Sequence, residues 1–335
     1  MTLTVRPSPA SDSARTVRLI TLEEHFTTPE HWDAVAPYMP ATAQAPALRA
    51  ALIDLDAQRI QAMDAGGVDV QVLSLATGAQ HRLPPAEATA LVRDANDAAF
   101  AATRRHPDRF RMFANLALRS PRDATEELRR GVTQLGCVGG FLNGTEGGAF
   151  LDDPRYTPIF EAAADLNVPL YLHPTPPPRA VRDIYTAGLA ERSAYFLSTA
   201  AWAWHAELGL HCIRLILAGV FDRYPTLRII VGHLGEFLPY GLFRAEDGLQ
   251  EQVSGLARAV SEYFLDHFAV TTSGYFTTPP YLCARDVLGP GRLMYSVDYP
   301  YRSNTAGAEF LRRLPIPGDE LAQLTSGNAE RYLNL

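Results

Sequence analysis

Short apolar, β-branched runs recur along the chain, and longer amphipathic stretches separate them. The strand-like runs are Val17–Leu22, Asp69–Leu75, Phe110–Asn115, Cys137–Leu142, Pro169–His173, Arg228–Gly232, Phe268–Thr272 and Leu293–Ser296. Apolar residues at helical spacing fill Ala51–Ala65, Ala86–His106, Pro121–Leu135, Tyr156–Leu166, Leu208–Phe221 and Pro279–Leu288. Strands alternating with helices predict an α/β fold on a parallel sheet. No Gly-x-Gly-x-x-Gly follows the first strand, so the dinucleotide fingerprint is missing. Eight β/α units in one domain of this size predict a single (β/α)8 TIM barrel over residues 17–335. Residues 1–16, rich in Ser, Pro, Thr and Ala, read as a flexible leader.

Composition narrows the function classes. The 335 residues are 47% hydrophobic and 20% charged, as expected of a globular chain with a substantial core. A net charge of −7 argues against a nucleic-acid surface. No run approaches the roughly 18 apolar residues of a membrane helix. The leader lacks the apolar region of a secretory signal, so the cytoplasm is the expected compartment. Cys137, Cys212 and Cys283 have no paired spacing, which points to buried thiols rather than disulfides or a cysteine metal site.

The candidate chemistry lies at the ends of the strands. The first runs into Glu23, Glu24 and His25, and others end at or just before His173, His233 and Asp298. Alternation puts Glu23 and His25 on one face and Glu24 on the other. Taken alone, Glu-x-His on a strand is more often a solvated surface pair than a ligand pair. In a barrel, however, strand C-termini share one mouth, and Glu23, His25, His173, His233 and Asp298 would converge there. Of the nine histidines, His31, His81, His106 and His205 fall in loops or on helices and read as background. The Pro-rich stretch from Pro174 to Ala190 is either a substrate wall or a stiff surface connection. Trp202 and Trp204 cannot share a helix face, so one is expected in the core and the other near the mouth or an interface.

Five blocks carry a family resemblance: Leu22-Glu23-Glu24-His25-Phe26, Tyr171-Leu172-His173-Pro174, Gly232-His233-Leu234-Gly235-Glu236-Phe237-Leu238-Pro239, Ser296-Val297-Asp298-Tyr299-Pro300-Tyr301 and Gly327-Asn328-Ala329. Their order and spacing resemble the amidohydrolase superfamily, in its branch of metal-dependent, non-oxidative aromatic acid decarboxylases. That branch carries Glu-x-His in the first motif where hydrolytic relatives carry His-x-His. The resemblance implies that Glu23, His25, His173 and Asp298 bind one divalent metal, with His25 the most loosely held. It implies that His233 contacts substrate and that Glu236 hydrogen-bonds to it. It further implies substrate contacts from Arg59, Arg244, Tyr301 and Phe26, with Arg59 holding the substrate carboxylate. Homodimers or homotetramers are implied as well.

Oxygen and nitrogen donors without a thiolate suit Zn²⁺ or Mn²⁺. The expected reaction protonates the carboxylate-bearing ring carbon of an ortho-hydroxy aromatic acid and then releases CO2. Asp298 is the first choice of general acid and His233 the second. The alternative is a metal-dependent hydrolase of a lactone or cyclic amide on the same barrel, with Asp298 as general base. A non-catalytic binding barrel is a third reading, which the filled ligand set disfavours.

Overall fold

The strands follow one another in space as they do in sequence. In the computed structural model, which describes residues 17–40, 43–76 and 80–335, β1 (Ile20–Phe26) pairs with β2 (Val70–Leu75), and β2 with β3 (Phe110–Met112). Beyond Phe113 the same extended segment continues as β4 (Ala114–Asn115). A second sheet then runs from β4 through β5 (Gly140–Asn143), β6 (Leu170–His173), β7 (Ile229–Val231) and β8 (Phe268–Thr271) to β9 (Leu293–Met294). Every pair is parallel. Counting β3 and β4 as two halves of one run, these are the eight strand positions expected from the pattern. The expected leader lies outside the described residues.

A continuous ladder around all eight positions is not seen. The two sheets adjoin at Phe113, whose N–H reaches Leu73 O at 3.0 Å while the next N–H, of Ala114, reaches Gly139 O at 2.9 Å. At the other end, β1 meets the segment after β9 through the Leu22–Ser296 bridge and the His25 N–H to Tyr299 O hydrogen bond. The architecture is therefore parallel α/β in two adjoining sheets.

Strand parity sorts the side chains into two apolar layers. Val70 and Val72, Phe141, Tyr171, Ile230 and Ala269 form an inner cluster with Ile20, Leu22, Phe113 and Met294. Leu73, Leu75, Leu142, Leu172, Val231 and Val270 pack outward into the larger core that includes the helices. On β1 the alternation breaks. Ile20 and Leu22 face inward, the register slips between Thr21 and Glu24, and Glu23 takes φ +63°. This left-handed bulge lets Glu23 follow Leu22 and still point inward.

The single helix expected over Ala51–Ala65 is two, Pro46–Ile53 and Ala57–Gly66. Asp54 breaks it: its Oδ1 accepts the N–H groups of Asp56 at 3.1 Å and Arg59 at 2.9 Å, in competition with the helical backbone. The Pro-rich stretch leads into two short helices, Arg179–Tyr185 and Glu191–Ser198. Among the described residues, no helix is long and apolar enough to cross a membrane.

Candidate functional site

Three of the strand-end residues sit in the left-handed region that non-glycine residues avoid: Glu23 (φ +63°), His233 (+48°) and Asp298 (+69°). Such conformations cost roughly 1–3 kcal/mol each and persist where the surroundings enforce them. Around His233 the whole run His233–Phe237 has positive φ. This left-handed turn brings the His233 and Glu236 side chains together, so that His233 Nδ1–H donates to Glu236 Oε1 at 2.6 Å. Glu236 is not the dipole-stabilised charge of an ordinary helix start.

Glu23 is fully buried. Its Oε2 accepts the hydroxyls of Tyr171 and Ser273. Its Oε1 has no hydrogen-bond partner and lies 3.1 Å from His173 Nε2 and 3.9 Å from His233 Nε2. Gly232 allows this fit, because a Cβ there would stand 2.5 Å from Glu23 Oε2. His173 Nδ1–H donates to Pro174 O at 2.8 Å, which leaves Nε2 as a free lone pair. His25 Nδ1 lies 3.2 Å from Ser74 Oγ, and its Nε2 is 3.3 Å from Asp298 Oδ1. Ligand atoms of Glu23, His25 and His173 lie within 4.8 Å of one another.

The charges fit a cation. Burial would raise the Glu23 carboxyl, but the positive His233 and the nearby His173 hold it well below the usual range. Burial pushes His25 down to about 4 and lowers His173, so both imidazoles are neutral, the form that ligates. Burial and the Glu23 charge push Asp298 up to about 7. Two carboxyl groups and two neutral imidazoles brought together, with Glu23 Oε1 left without a hydrogen-bond partner, are a donor set that would suit one divalent ion.

Beside this set, Glu236 takes two histidines at once. Its Oε2 accepts from His205 Nδ1 at 2.6 Å, opposite the His233 bond. Burial opposes charge on His233, yet Glu236 and Glu23 raise it to about 10, and it stands as an imidazolium. Both Glu236 oxygens are engaged, so this trio is a hydrogen-bonded brace rather than a second open donor set.

A family model described as Amidohydrolase matches residues 27–335. The chain belongs to the amidohydrolase family. Among its relatives is the γ-resorcylate decarboxylase of Rhodococcus jostii, 35% identical over 330 residues that cover 94% of this chain and 98% of that one. Two solved structures superpose with nearly full coverage. The dihydroxybenzoic acid decarboxylase of Polaromonas sp. JS666, with bound manganese and the inhibitor 2-nitroresorcinol, is 32% identical at a TM-score of 0.85, covering 95% of this chain and 97% of that one. The 5-carboxyvanillate decarboxylase of Novosphingobium aromaticivorans, with manganese and 4-hydroxy-3-methoxy-5-nitrobenzoic acid, is 31% identical at 0.88, covering 96% and 97%. The Glu23, His25 and His173 cluster of this chain is a donor set that would fit a divalent ion such as the manganese of those two proteins.

The fold of this amidohydrolase brings together Glu23, His25, His173, His233, Glu236 and Asp298. Tyr301 joins them at the rim, its ring half-exposed and edge-on to His25 at 5.5 Å. Two of the expected substrate contacts, Phe26 and Arg59, are not brought there. Phe26 is fully buried in the outer core, and Arg244 is exposed on the helix Leu238–Gly248. Arg59 is fully buried behind β1. Its Nε donates to Asp54 O at 2.9 Å, Nη1 to Gln71 Oε1 at 3.2 Å, and Nη2 to His25 O and, at 3.4 Å, Ala51 O.

Sequence reasoning overlooked the groups that hold the site together. His205, on the helix Ala203–Leu217, completes the Glu236 brace. Trp204 lies with its ring 6.0 Å from His173, and Trp202 is the exposed one of the pair. Tyr171 was within reach, since it shares strand parity with His173. Ser273 and His205 left no local signal. The Arg302 side chain lies near Asp298: a Cβ on Gly274 would meet Arg302 Cγ at 3.1 Å and Asp298 Oδ2 at 3.5 Å.

Proposed function

We propose that this amidohydrolase is a metal-dependent, non-oxidative decarboxylase of ortho-hydroxy aromatic carboxylic acids, working in one barrel of eight strand positions. The observation that carries the reading is the Glu23–His25–His173 donor cluster beside Asp298, in a chain 35% identical over nearly its full length to a γ-resorcylate decarboxylase. Glu23, His25, His173 and Asp298 hold the ion. When bound, the ion acts as a Lewis acid that favours the ionised ortho-hydroxyl and orients the ring.

Direct loss of CO2 from an arene would leave a high-energy aryl anion. Protonation of the carboxylate-bearing carbon avoids it. Asp298 is the acid in this reading: its side chain keeps 17% exposure toward the mouth, whereas Glu23 has none. The Asp298 proton forms the new C–H bond. The C–CO2 bond then breaks, its electron pair restores the aromatic ring, and Asp298 recovers a proton from solvent. His233, held by Glu236, faces the substrate hydroxyl or carboxylate as a fixed positive charge. With Arg59 buried, Arg302 and Tyr301 at the rim are the groups that take the carboxylate. Exposed Ile184, Tyr185, Phe196 and Trp202 support assembly into a homo-oligomer.

The lactone or cyclic-amide hydrolase shares the donor set, but no feature of the site favours it. Purified protein with manganese is offered 2-, 3- and 4-hydroxybenzoates and dihydroxybenzoates. CO2 and a phenol are expected from the ortho-hydroxy acids alone, with the reverse carboxylation at high bicarbonate. Lactone hydrolysis without any CO2 release would overturn the proposal.

A further inference from the structure

A side chain stands in for the ladder that is missing between β9 and β1. Backbone contact there comprises the Leu22–Ser296 bridge and the His25 N–H to Tyr299 O bond at 2.7 Å. The rest falls to Glu24, which is fully buried and points away from Glu23 and His25. Its Oε1 accepts the Val297 N–H at 2.9 Å and the Ser296 hydroxyl at 3.4 Å. Its Oε2 accepts the Tyr299 N–H at 3.1 Å and the Gln71 amide at 3.5 Å. The two backbone amides flank Asp298, whose φ is +69°. Arg59 backs the arrangement, bonding Gln71 at 3.2 Å and lying 4.9 Å from the centre of the Tyr299 ring.

A left-handed aspartate relaxes unless its neighbours hold it. One carboxyl group that receives the amides on both sides is such a hold, since breaking it would leave two buried backbone donors without a partner. The tripeptide Glu23-Glu24-His25 therefore works in two directions. Its outer members face the donor cluster, and its middle member fixes the turn that presents Asp298.

We propose that Glu24 is a positioning residue, which holds the Val297 and Tyr299 amides and so sets Asp298 against Glu23, His25 and His173. It touches neither the ion nor the substrate. The inference rests on the ligand set proposed above.

The test is Glu24→Gln, which retains one acceptor oxygen and turns an NH2 group toward the second amide donor. A merely structural role would lower the melting temperature and nothing else. A positioning role should raise the manganese Kd about tenfold or more at 25 °C, as loss of an outer-shell partner commonly does. At saturating manganese, kcat should fall by about tenfold while KM stays within roughly threefold. Glu24→Asp, which keeps the carboxyl group but shortens the reach, should shift both quantities in the same direction. A folded Glu24→Gln with Kd and kcat like wild type would overturn the idea. Should neither variant fold, hydrogen exchange of the wild-type chain decides. Val297 and Tyr299 amides protected with or without manganese support the hold by Glu24, whereas protection only with manganese overturns it. Glu23→Ala separates this inference from its premise: full manganese binding there would remove the ligand set itself.

Discussion

Replacing Arg59 by Lys separates the role that family resemblance implies from the role the structure gives. A carboxylate clamp needs its guanidinium at the mouth. Here the group is fully buried and bonds Asp54 O, Gln71 Oε1, His25 O and Ala51 O. A lysine ammonium is a compact point charge without the planar fork, so it can serve about two of these four acceptors. Two buried carbonyl or amide oxygens then lose their donor, at about 1–3 kcal/mol each. The expected loss is about 4 kcal/mol. For 335 residues the unfolding entropy is on the order of 0.7 kcal/mol per degree, so the melting temperature should fall by about 6 °C.

Kinetics should change less than stability. Arg59 meets no substrate in this arrangement, so KM should hold while kcat/KM falls by less than about tenfold, through slack at the His25 carbonyl. Calorimetry with excess manganese, paired with steady-state decarboxylation, reads both. A melting temperature within about 1 °C of wild type, together with a raised KM and about a hundredfold loss of kcat/KM, would refute the argument and return Arg59 to the substrate.

Asp298→Ala should lose both bound manganese and decarboxylation, and elemental analysis showing full occupancy would move the metal elsewhere. Arg302→Ala should raise KM by about tenfold with kcat nearly unchanged, the loss of one charge-assisted contact at the rim; an unaltered KM would exclude that contact. His211 is buried and accepts the Leu151 N–H on Nε2 at 2.9 Å, and burial pushes it from 6.5 down to about 3. The unfolded chain then binds a proton below pH 6.5 that the folded chain refuses, so stability drains away as pH falls from 6.5 toward 3. His211→Gln keeps an acceptor and removes that proton, so between pH 7 and 5 it should lose about 2 kcal/mol less stability than wild type in denaturant titrations, and an equal loss would contradict the assignment.

The clustering of Glu23, His25, His173 and Asp298 was legible because they lie at or just past the ends of apolar strands, and parallel strands bring their C-terminal ends to one side. Tyr171 follows by the same rule, two residues before His173 on one face of β6. Arg59 was not legible. Its helix pattern gives no inward direction, and Asp54, which breaks the expected helix and sets the start of Ala57–Gly66, reads locally as one more polar residue. His205 lies on the helix Ala203–Leu217 and meets Glu236 only through a turn that no propensity scale would place at His-Leu-Gly-Glu-Phe.

The failures share a physical origin. Local rules describe residues at rest in their preferred conformations, and the site is built from residues held outside them. Glu23, His233 and Asp298 all lie at positive φ, and so does Glu236. None is glycine, and only Asp298 and His233 are of types that visit such a backbone at all often. Three of the four are held by partners far away in sequence, Glu23 by Tyr171 and Ser273, Glu236 by His205, and the Asp298 turn by Glu24, while His233 is held through Glu236. A ligand whose backbone is fixed from a distant segment cannot be oriented from its own neighbours. The chemistry of the donors was therefore readable from residue type and strand end, whereas their aim depends on pairings that exist only once the sheets have assembled.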